Sequence, residues 1–286
     1  MQHHFTLQSL LFETQQQLLT LYSEREAKTL SYLLCEHFCN QNKAELLLHL
    51  QESIELSIAE KIQCATQQLL QSLPIQHITG YTIFCNCRIR VNQHVLIPRQ
   101  ETEELVEWIL QNVDAKQSAN ILDIGTGSGC IAIALAKSLP HAAITGWDIS
   151  ANALQVAVNN TVSNGVDVRF EQRDILQTPV DTTAAQWNII VSNPPYVCDN
   201  ERNSLPRNVL YDPPQALFVP DDNPLLFYSR IADFATQHLK PTGNLYFEIN
   251  EQFGNAVVDL LRAKHFGNVT LRKDLNGKDR MVSATN

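Results

Sequence analysis

The chain has 286 residues, of which 44% are hydrophobic and 18% charged, and its formal net charge is −9. This composition is typical of a globular protein with one large domain, or with a medium domain and a small one. A protein whose main task is to grip nucleic-acid phosphates would usually be basic, so the acidic balance favours a small molecule or a basic protein as partner.

Targeting and metal-binding signals are weak in this sequence. The opening MQHHFTLQSLLFETQQQ lacks the basic start and apolar core of a signal peptide, and no apolar run approaches the roughly 18 residues of a membrane span. The seven cysteines show no repeated CxxC spacing, although Cys35 and Cys39 flank His37, and Cys85 and Cys87 lie two positions apart. We therefore expect a reduced cytoplasmic chain without a metal site, and keep a metal site at these residues as the less favoured alternative.

Residues 1–74 are predicted to form a helical domain. Ser23 and Ser57 each precede a glutamate by three residues, a spacing typical of a capping box, and apolar residues then recur at helical spacing. Asn42 can cap a short helix between them, and Pro74 ends the series. The region carries no convergent chemistry, which favours a packing or recognition module.

Residues 75–97 are predicted to form a β-hairpin that links the helical domain to the rest of the chain. The stretch ITGYTIFCNCRIRVNQHVLIP alternates apolar and polar residues around an asparagine-containing turn. A helix at about 101–113 then opens the larger domain, 98–286.

From residue 120 the sequence alternates between predicted strands and helices. ANILDIG, AAITGWDI, VDVRFEQRD and WNIIVSN are strand segments, and GCIAIALAKSL and SANALQVAVNNTVSN are helical ones. This alternation predicts an α/β fold, with a mainly parallel sheet and helices on both faces. Because ligands of such sheets bind beyond the carboxyl ends of the strands, the side chains at those ends are the candidate site.

The first of these strand ends carries the glycine-rich stretch LDIGTGSGCIA. A turn rich in glycine lets a ligand approach the backbone closely, although the spacing here is GxGxG and not the GxGxxG of a pyrophosphate-binding turn. Taken alone, it fits a structural turn as well as a nucleotide-like ligand. The candidate cofactor-binding residues of the turn are Gly125, Thr126, Gly127, Ser128 and Gly129.

Acids end the next two predicted strands. Asp148 can accept hydrogen bonds from both hydroxyls of a ribose, and such charge-assisted bonds contribute roughly 1.5–3 kcal/mol each. Asp174 can accept from an adenine amino group, with Ile175 against the ring. Either acid alone fits a solvated loop residue, but three successive strand ends with these groups favour a nucleotide-like cofactor.

Together with NPPY at residues 193–196, these motifs resemble the class I S-adenosylmethionine-dependent methyltransferases. LIPRQETEELVEW and the closing DLNGKDRMV narrow the resemblance to the release factor glutamine methyltransferases, over essentially the whole chain. The resemblance implies a seven-stranded, mainly parallel Rossmann-like methyltransferase sheet. It also implies a substrate-recognition role for residues 1–74.

The four residues of NPPY suit a planar nitrogen substrate, whose lone pair is delocalised. The side-chain carbonyl of Asn193 can accept one N–H of an amide, and the backbone carbonyl of Pro194 can accept the other. Pro194 and Pro195 hold the local dihedral angles, and Tyr196 can pack flat against the amide. We therefore expect Asn193, Pro194 and Tyr196 to be catalytic, Pro195 to contact substrate, and Asn193 to contact the cofactor as well.

The resemblance also implies the reaction. The family transfers a methyl group from S-adenosylmethionine to N5 of the glutamine in the Gly-Gly-Gln loop of peptide-chain release factors, leaving S-adenosylhomocysteine. We expect a monomer that binds no nucleic acid directly and no membrane. Arg99, Glu101, Thr102 and Glu103 either begin a helix or line the cleft near the methionine part of the cofactor.

Some positions depart from the family pattern. Asp212 stands where relatives commonly have glutamate, Val219 and Pro220 stand where they have two glycines, and Asn250 stands where they have glycine. Three other functions stay open: glutamine methylation of a ribosomal protein, adenine-N6 methylation of DNA, and a binding protein that has lost catalysis. The DNA alternative is disfavoured because the chain is acidic and lacks a basic target-recognition region.

Overall fold

The structure is a computed structural model, and it describes residues 6–178 and 187–286. The chain divides into two compact units. One unit comprises the chain up to Gly80 together with Arg207–Tyr211, and the other comprises Tyr81–Pro206 together with Asp212–Asn286. Among the described residues, no helix is both long and apolar enough to cross a membrane.

The first unit is helical, as the sequence predicts. Its core is formed by apolar side chains on one face of each long helix, including the fully buried Leu10, Leu34 and Ile62. Its helices are α1 (Leu7–Leu18), α2 (Glu24–Cys39), α3 (Lys43–Leu48), α4 (Leu56–Leu70) and α5 (Ile75–Thr79).

The helix starts agree only in part with the predicted caps. Ser23 and Asn42 precede α2 and α3 and accept hydrogen bonds from backbone N–H groups of the first turn. The Ser57 capping box is wrong, because α4 begins at Leu56 after Glu55 and Ser57 lies inside its first turn. The segment Arg207–Tyr211 joins this unit, where the Tyr211 hydroxyl donates to the Gln71 carbonyl at 3.0 Å.

The hairpin is shorter than the predicted 75–97. Strands β1 (Tyr81–Phe84) and β2 (Cys87–Arg90) pair antiparallel, and residues 91–99 are irregular, with a turn near residues 93–95. Residues 75–79 are helix α5 instead, because Pro74 starts a helical turn and Gly80, at φ +79°, ends it in the left-handed conformation.

The second unit contains the predicted parallel sheet. Its main helices are α6 (Gln100–Gln111), α7 (Cys130–Ser138), α8 (Ala151–Asn164), α10 (Leu226–His238) and α11 (Gly254–Ala263), and a short helix, α9, spans Pro214–Leu217. Its seven sheet strands are β3 (Asn120–Ile124), β4 (Ala143–Asp148), β5 (Arg169–Gln172), β6 (Trp187–Ser192), β9 (Leu239–Glu248), β10 (Gly267–Lys273) and β11 (Asp279–Thr285).

The strand order is β10-β11-β9-β6-β3-β4-β5, with β11 antiparallel to both of its neighbours and the other pairs parallel. Apolar clusters cover both faces. Ile121 belongs to one cluster and Leu122 to the other, because successive strand residues point to opposite faces. The α/β fold class is thereby confirmed.

The register of the central strands gathers their carboxyl ends at one edge. Ser192, the last residue of β6, is aligned with Ile124 on one side and with Phe247 on the other. Ile124 is in turn aligned with Trp147. The Ser192 hydroxyl also donates to the Ile124 carbonyl at 2.6 Å in the buried interior. The residues that follow these strands therefore lie side by side.

A two-stranded sheet that the sequence analysis missed follows NPPY. β7 (Val197–Cys198) pairs parallel with β8 (Phe218–Val219). Two residues per strand are too few for a periodic pattern to show. The pairing places the segment that contains α9 beside the residues that follow NPPY.

Candidate active site

The glycine turn connects β3 to α7. The backbone N–H groups of Gly125 and Thr126 donate to the Trp147 carbonyl at 2.8 and 2.9 Å, which pins the turn to β4. Gly125 has φ +74°, and a Cβ built there would meet no atom within 4 Å. The backbone therefore faces open space, and a side chain would project into it.

Asp148, at the end of β4, is bound to the same turn. Its Oδ2 accepts from the Gly127 N–H at 2.9 Å, and its Oδ1 accepts from the Ser150 N–H at 2.8 Å. Burial raises the pKa of Asp148, and these backbone hydrogen bonds act in the opposite direction. An ionised carboxylate offers about four lone-pair sites, so these bonds leave acceptor capacity for a ligand.

Asp174 lies two residues beyond the end of β5, where its Oδ1 accepts from the Leu176 N–H at 2.9 Å. Ile175 beside it is buried. The guanidinium of Arg230 on α10 holds this segment by donating to the carbonyls of Ile175, at 3.0 Å, and of Thr178. The loop therefore has a defined position at the sheet edge.

NPPY follows β6, as predicted. Asn193, Pro194 and Pro195 line a cavity that also touches the glycine turn. The Asn193 amide nitrogen donates to the Thr102 hydroxyl oxygen at 3.2 Å. Tyr196 packs against the apolar cluster on one face of the sheet, and its predicted stacking against substrate stays a prediction.

Glu248, the last residue of β9, is a residue of this region that the sequence analysis missed. It is buried, with 1% of its surface exposed. Its Oε2 accepts from the Thr102 hydroxyl at 2.6 Å and its Oε1 from the Tyr196 hydroxyl at 3.1 Å. The available signal was a glutamate directly after three apolar residues at a strand end, in LYFE.

The residues of PRQETE separate into different contacts. Arg99 pairs with Asp212 at 2.5 Å, and the buried Asp212 carboxylate also accepts from the Ile97 N–H at 3.2 Å. Glu103 accepts from the Cys85 N–H at 3.1 Å. Thr102 contacts Asn193, so a hydrogen bond connects this motif to NPPY.

The other departures from the family pattern also have contacts. Val219 is buried in β8 and pairs with Cys198. The Asn250 side chain donates to the Tyr196 carbonyl at 3.1 Å and accepts from the Gln252 N–H at 3.0 Å. Asn250 therefore braces the chain just after the two prolines.

Asp123, at the start of the glycine motif, is fully buried. Its Oδ2 accepts from the Thr126 hydroxyl at 2.6 Å, whereas its Oδ1 has no hydrogen-bond partner in the part of the chain that the structure describes. The pKa of Asp123 is raised to about 7, mainly by burial; the Thr126 hydrogen bond lowers it, and the nearby negative charge of Asp148 adds to the rise.

One cavity connects these groups. Among the described residues its lining includes Gly125 and Gly127 of the glycine turn, both predicted acids and three residues of NPPY. The predicted site residues Thr126, Ser128, Gly129 and Tyr196 do not belong to this lining. Its carboxylates lie beside apolar side chains, a combination that fits a ribose and a flat ring. The lining residues that the sequence motifs had singled out include Gly125, Gly127, Asp148, Asp174, Ile175 and Asn193.

Comparisons with known proteins identify the family of this chain. Residues 99–220 match the methyltransferase small domain, and residues 9–80 match the PrmC N-terminal domain. The chain is 44% identical to a release factor glutamine methyltransferase of Flavobacterium psychrophilum, over 93% of this chain and 94% of that one. It is 41% identical to one of Bacteroides thetaiotaomicron, over 94% and 96%.

A solved methyltransferase of Pyrococcus furiosus shares the fold, at a TM-score of 0.51 and 15% identity, over 70% of this chain and 88% of that one. The sheet topology and the glycine turn define the class as Rossmann-like methyltransferases. Within that class, the identity and coverage of the two bacterial relatives decide the family. The chain belongs to the release factor glutamine methyltransferases.

Proposed function

We propose that this protein transfers a methyl group from S-adenosylmethionine to N5 of the glutamine in the Gly-Gly-Gln loop of peptide-chain release factors. The observation that carries the proposal is the position of Asn193 in the cavity that also contains the glycine turn and Asp148. The names of the relatives support the substrate class.

The residues of the cavity suit S-adenosylmethionine. Gly125 and Gly127 leave space for close approach, Asp148 keeps lone pairs for the ribose hydroxyls, and Asp174 with Ile175 provides an acceptor and an apolar surface for adenine. When bound, the cofactor supplies a methyl group that is already activated, so the protein has to orient the nucleophile more than to activate it.

Orientation is the task of the NPPY residues. The Asn193 amide nitrogen is engaged by Thr102, so its carbonyl oxygen is the end available to a substrate N–H. The Pro194 carbonyl is the proposed acceptor for the second N–H. With both N–H groups held in the amide plane, the nitrogen lone pair points out of that plane, toward the side where the methyl group is supplied.

The test is mass spectrometry of a purified, unmethylated release factor incubated with the protein and S-adenosylmethionine. We expect a gain of one methyl group that maps to the glutamine of the Gly-Gly-Gln loop. No gain, with cofactor binding intact by calorimetry, would contradict the substrate assignment. Ribosomal protein and then DNA are the substrates to test in that case.

We further propose that the helical unit recognises the release factor. It exposes several large apolar side chains, among them Phe12 at 63% and Leu48 at 82%. We expect Leu48→Asp to raise KM for intact release factor several-fold without changing cofactor affinity. Val162→Asp is the matched control, because Val162 is an equally exposed apolar residue on α8 of the other unit. An unchanged KM in Leu48→Asp would argue against contact at this position.

A further inference from the structure

We propose that Glu248 and Thr102 are positioning residues that determine which end of the Asn193 amide faces the substrate. The inference rests on the proposed function, because it concerns how the amide-binding residues are held. It adds two residues from α6 and β9 to the four of NPPY.

Glu248 is suited to set the direction of hydrogen bonds. Its carboxylate is buried, and an ionised carboxylate can only accept. Burial raises the pKa of Glu248, while the hydrogen bonds from Thr102 and Tyr196 and the charge of Arg280 oppose that rise. The two hydroxyl groups therefore both point their protons at Glu248.

The donor and acceptor roles set by Glu248 also fix those of Thr102 and Asn193. The Thr102 hydroxyl has one proton, and it is donated to Glu248 Oε2 at 2.6 Å. Its oxygen is then an acceptor toward Asn193, whose amide nitrogen lies 3.2 Å away. A reversed Asn193 amide would set its carbonyl against the Thr102 oxygen, two acceptors without a proton between them, so this orientation is disfavoured.

The second carboxylate oxygen of Glu248, Oε1, binds Tyr196, the last residue of NPPY. Tyr196 donates to Oε1 at 3.1 Å, and the Tyr196 carbonyl accepts from Asn250. One buried group therefore orients Asn193 and anchors Tyr196, with the two prolines between them. The consequence for the reaction is a carbonyl oxygen of Asn193 that is already aimed into the cavity before the glutamine arrives.

The test compares Thr102→Val, which keeps the shape and removes the hydroxyl, with Thr102→Ser, which keeps the hydroxyl. Methylation of release factor gives kcat and KM, and calorimetry with S-adenosylmethionine gives Kd and the fraction of folded protein. We expect Thr102→Val to lower kcat about tenfold or more, with Kd and the KM for release factor within about threefold. Thr102→Ser should retain kcat within about threefold.

Equal kcat in Thr102→Val and the wild type would overturn the inference, as would equal losses in the valine and serine variants. If Thr102→Val does not bind cofactor, Glu248→Gln decides, because a neutral side-chain amide can also donate to the Thr102 oxygen and so no longer fixes the direction of the Thr102 hydroxyl. A kcat lowered several-fold at unchanged Kd supports the inference, and an unchanged kcat overturns it. Failure of the wild type itself to methylate release factor would contradict the proposed function, which separates the two failures.

Discussion

The two sides of the cavity are built differently. On the side of the glycine turn, backbone N–H groups of the turn make the contacts with β4, two of them to the Trp147 carbonyl and one to the Asp148 carboxylate. On the NPPY side, the Asn193 orientation depends on side chains of other elements, Thr102 and Glu248.

Because of this difference, the two sides of the cavity should respond differently to amino-acid substitutions. Backbone contacts are set by local conformation, so the side with the glycine turn depends mostly on the glycines and on one acid per strand end. A chain of side-chain hydrogen bonds depends on every member, because a buried group that loses its partner is costly. Substitutions on the two sides should therefore separate cofactor affinity from catalytic rate.

The largest expected effect is that of Asn193→Ala. It removes the acceptor that orients the substrate amide, and loss of one such preorganised group lowers kcat by about a hundredfold or more. Cofactor Kd should change less than about twofold. Steady-state methylation and calorimetry measure the two quantities, with Asn159→Ala on the exposed face of α8 as control. Full activity of Asn193→Ala would contradict the proposal that Asn193 orients the substrate amide.

Asp148→Ala should act on the other side. The loss of charge-assisted hydrogen bonds to the ribose, and of the acceptor for the Gly127 N–H, should raise cofactor Kd about tenfold or more. Calorimetry checks this, and Asp167→Ala, an exposed aspartate of the same unit, is the matched control. An unchanged Kd would count against the ribose assignment.

Gly125→Ala separates backbone strain from contact with the cofactor. Gly125 and Gly165 have φ +74° and +65°, and a Cβ at either would meet no atom within 4 Å. Both alanine variants should therefore lose about 1–2 kcal/mol of stability. Only Gly125→Ala should weaken cofactor binding, by about fivefold, because only Gly125 lines the cavity. Equal Kd values in the two variants would contradict a close approach.

Asp123→Asn should change how stability depends on pH. The pKa of Asp123 is raised from 3.8 to about 7 in the folded protein, so the folded state binds this proton more tightly than the unfolded chain. Its contribution is fully present below pH 3.8 and is lost as the pH rises through about 7. The fall in urea midpoint between pH 5 and pH 8 should be smaller in Asp123→Asn. An identical fall in urea midpoint in both proteins would show that the pKa of Asp123 does not lie in this pH range.

The sequence by itself determined the features that depend on residues close together along the chain. Alternation of strands and helices predicted the parallel sheet. Of the residues that the sequence motifs singled out, Gly125, Gly127, Asp148, Asp174 and Asn193 lie along the cavity. A backbone turn or a strand end is encoded over a few adjacent positions, which is why such motifs can be recognised without coordinates.

Only the tertiary structure decided which distant side chains meet. Thr102 lies 91 positions from Asn193 and 146 from Glu248, and single threonines and glutamates carry no local pattern that pairs them. The same holds for Asp212, whose departure from the family pattern became interpretable when Arg99 was found beside it. These contacts follow from the register of β6 and β9 and from the position of α6, and register is a property of the assembled sheet.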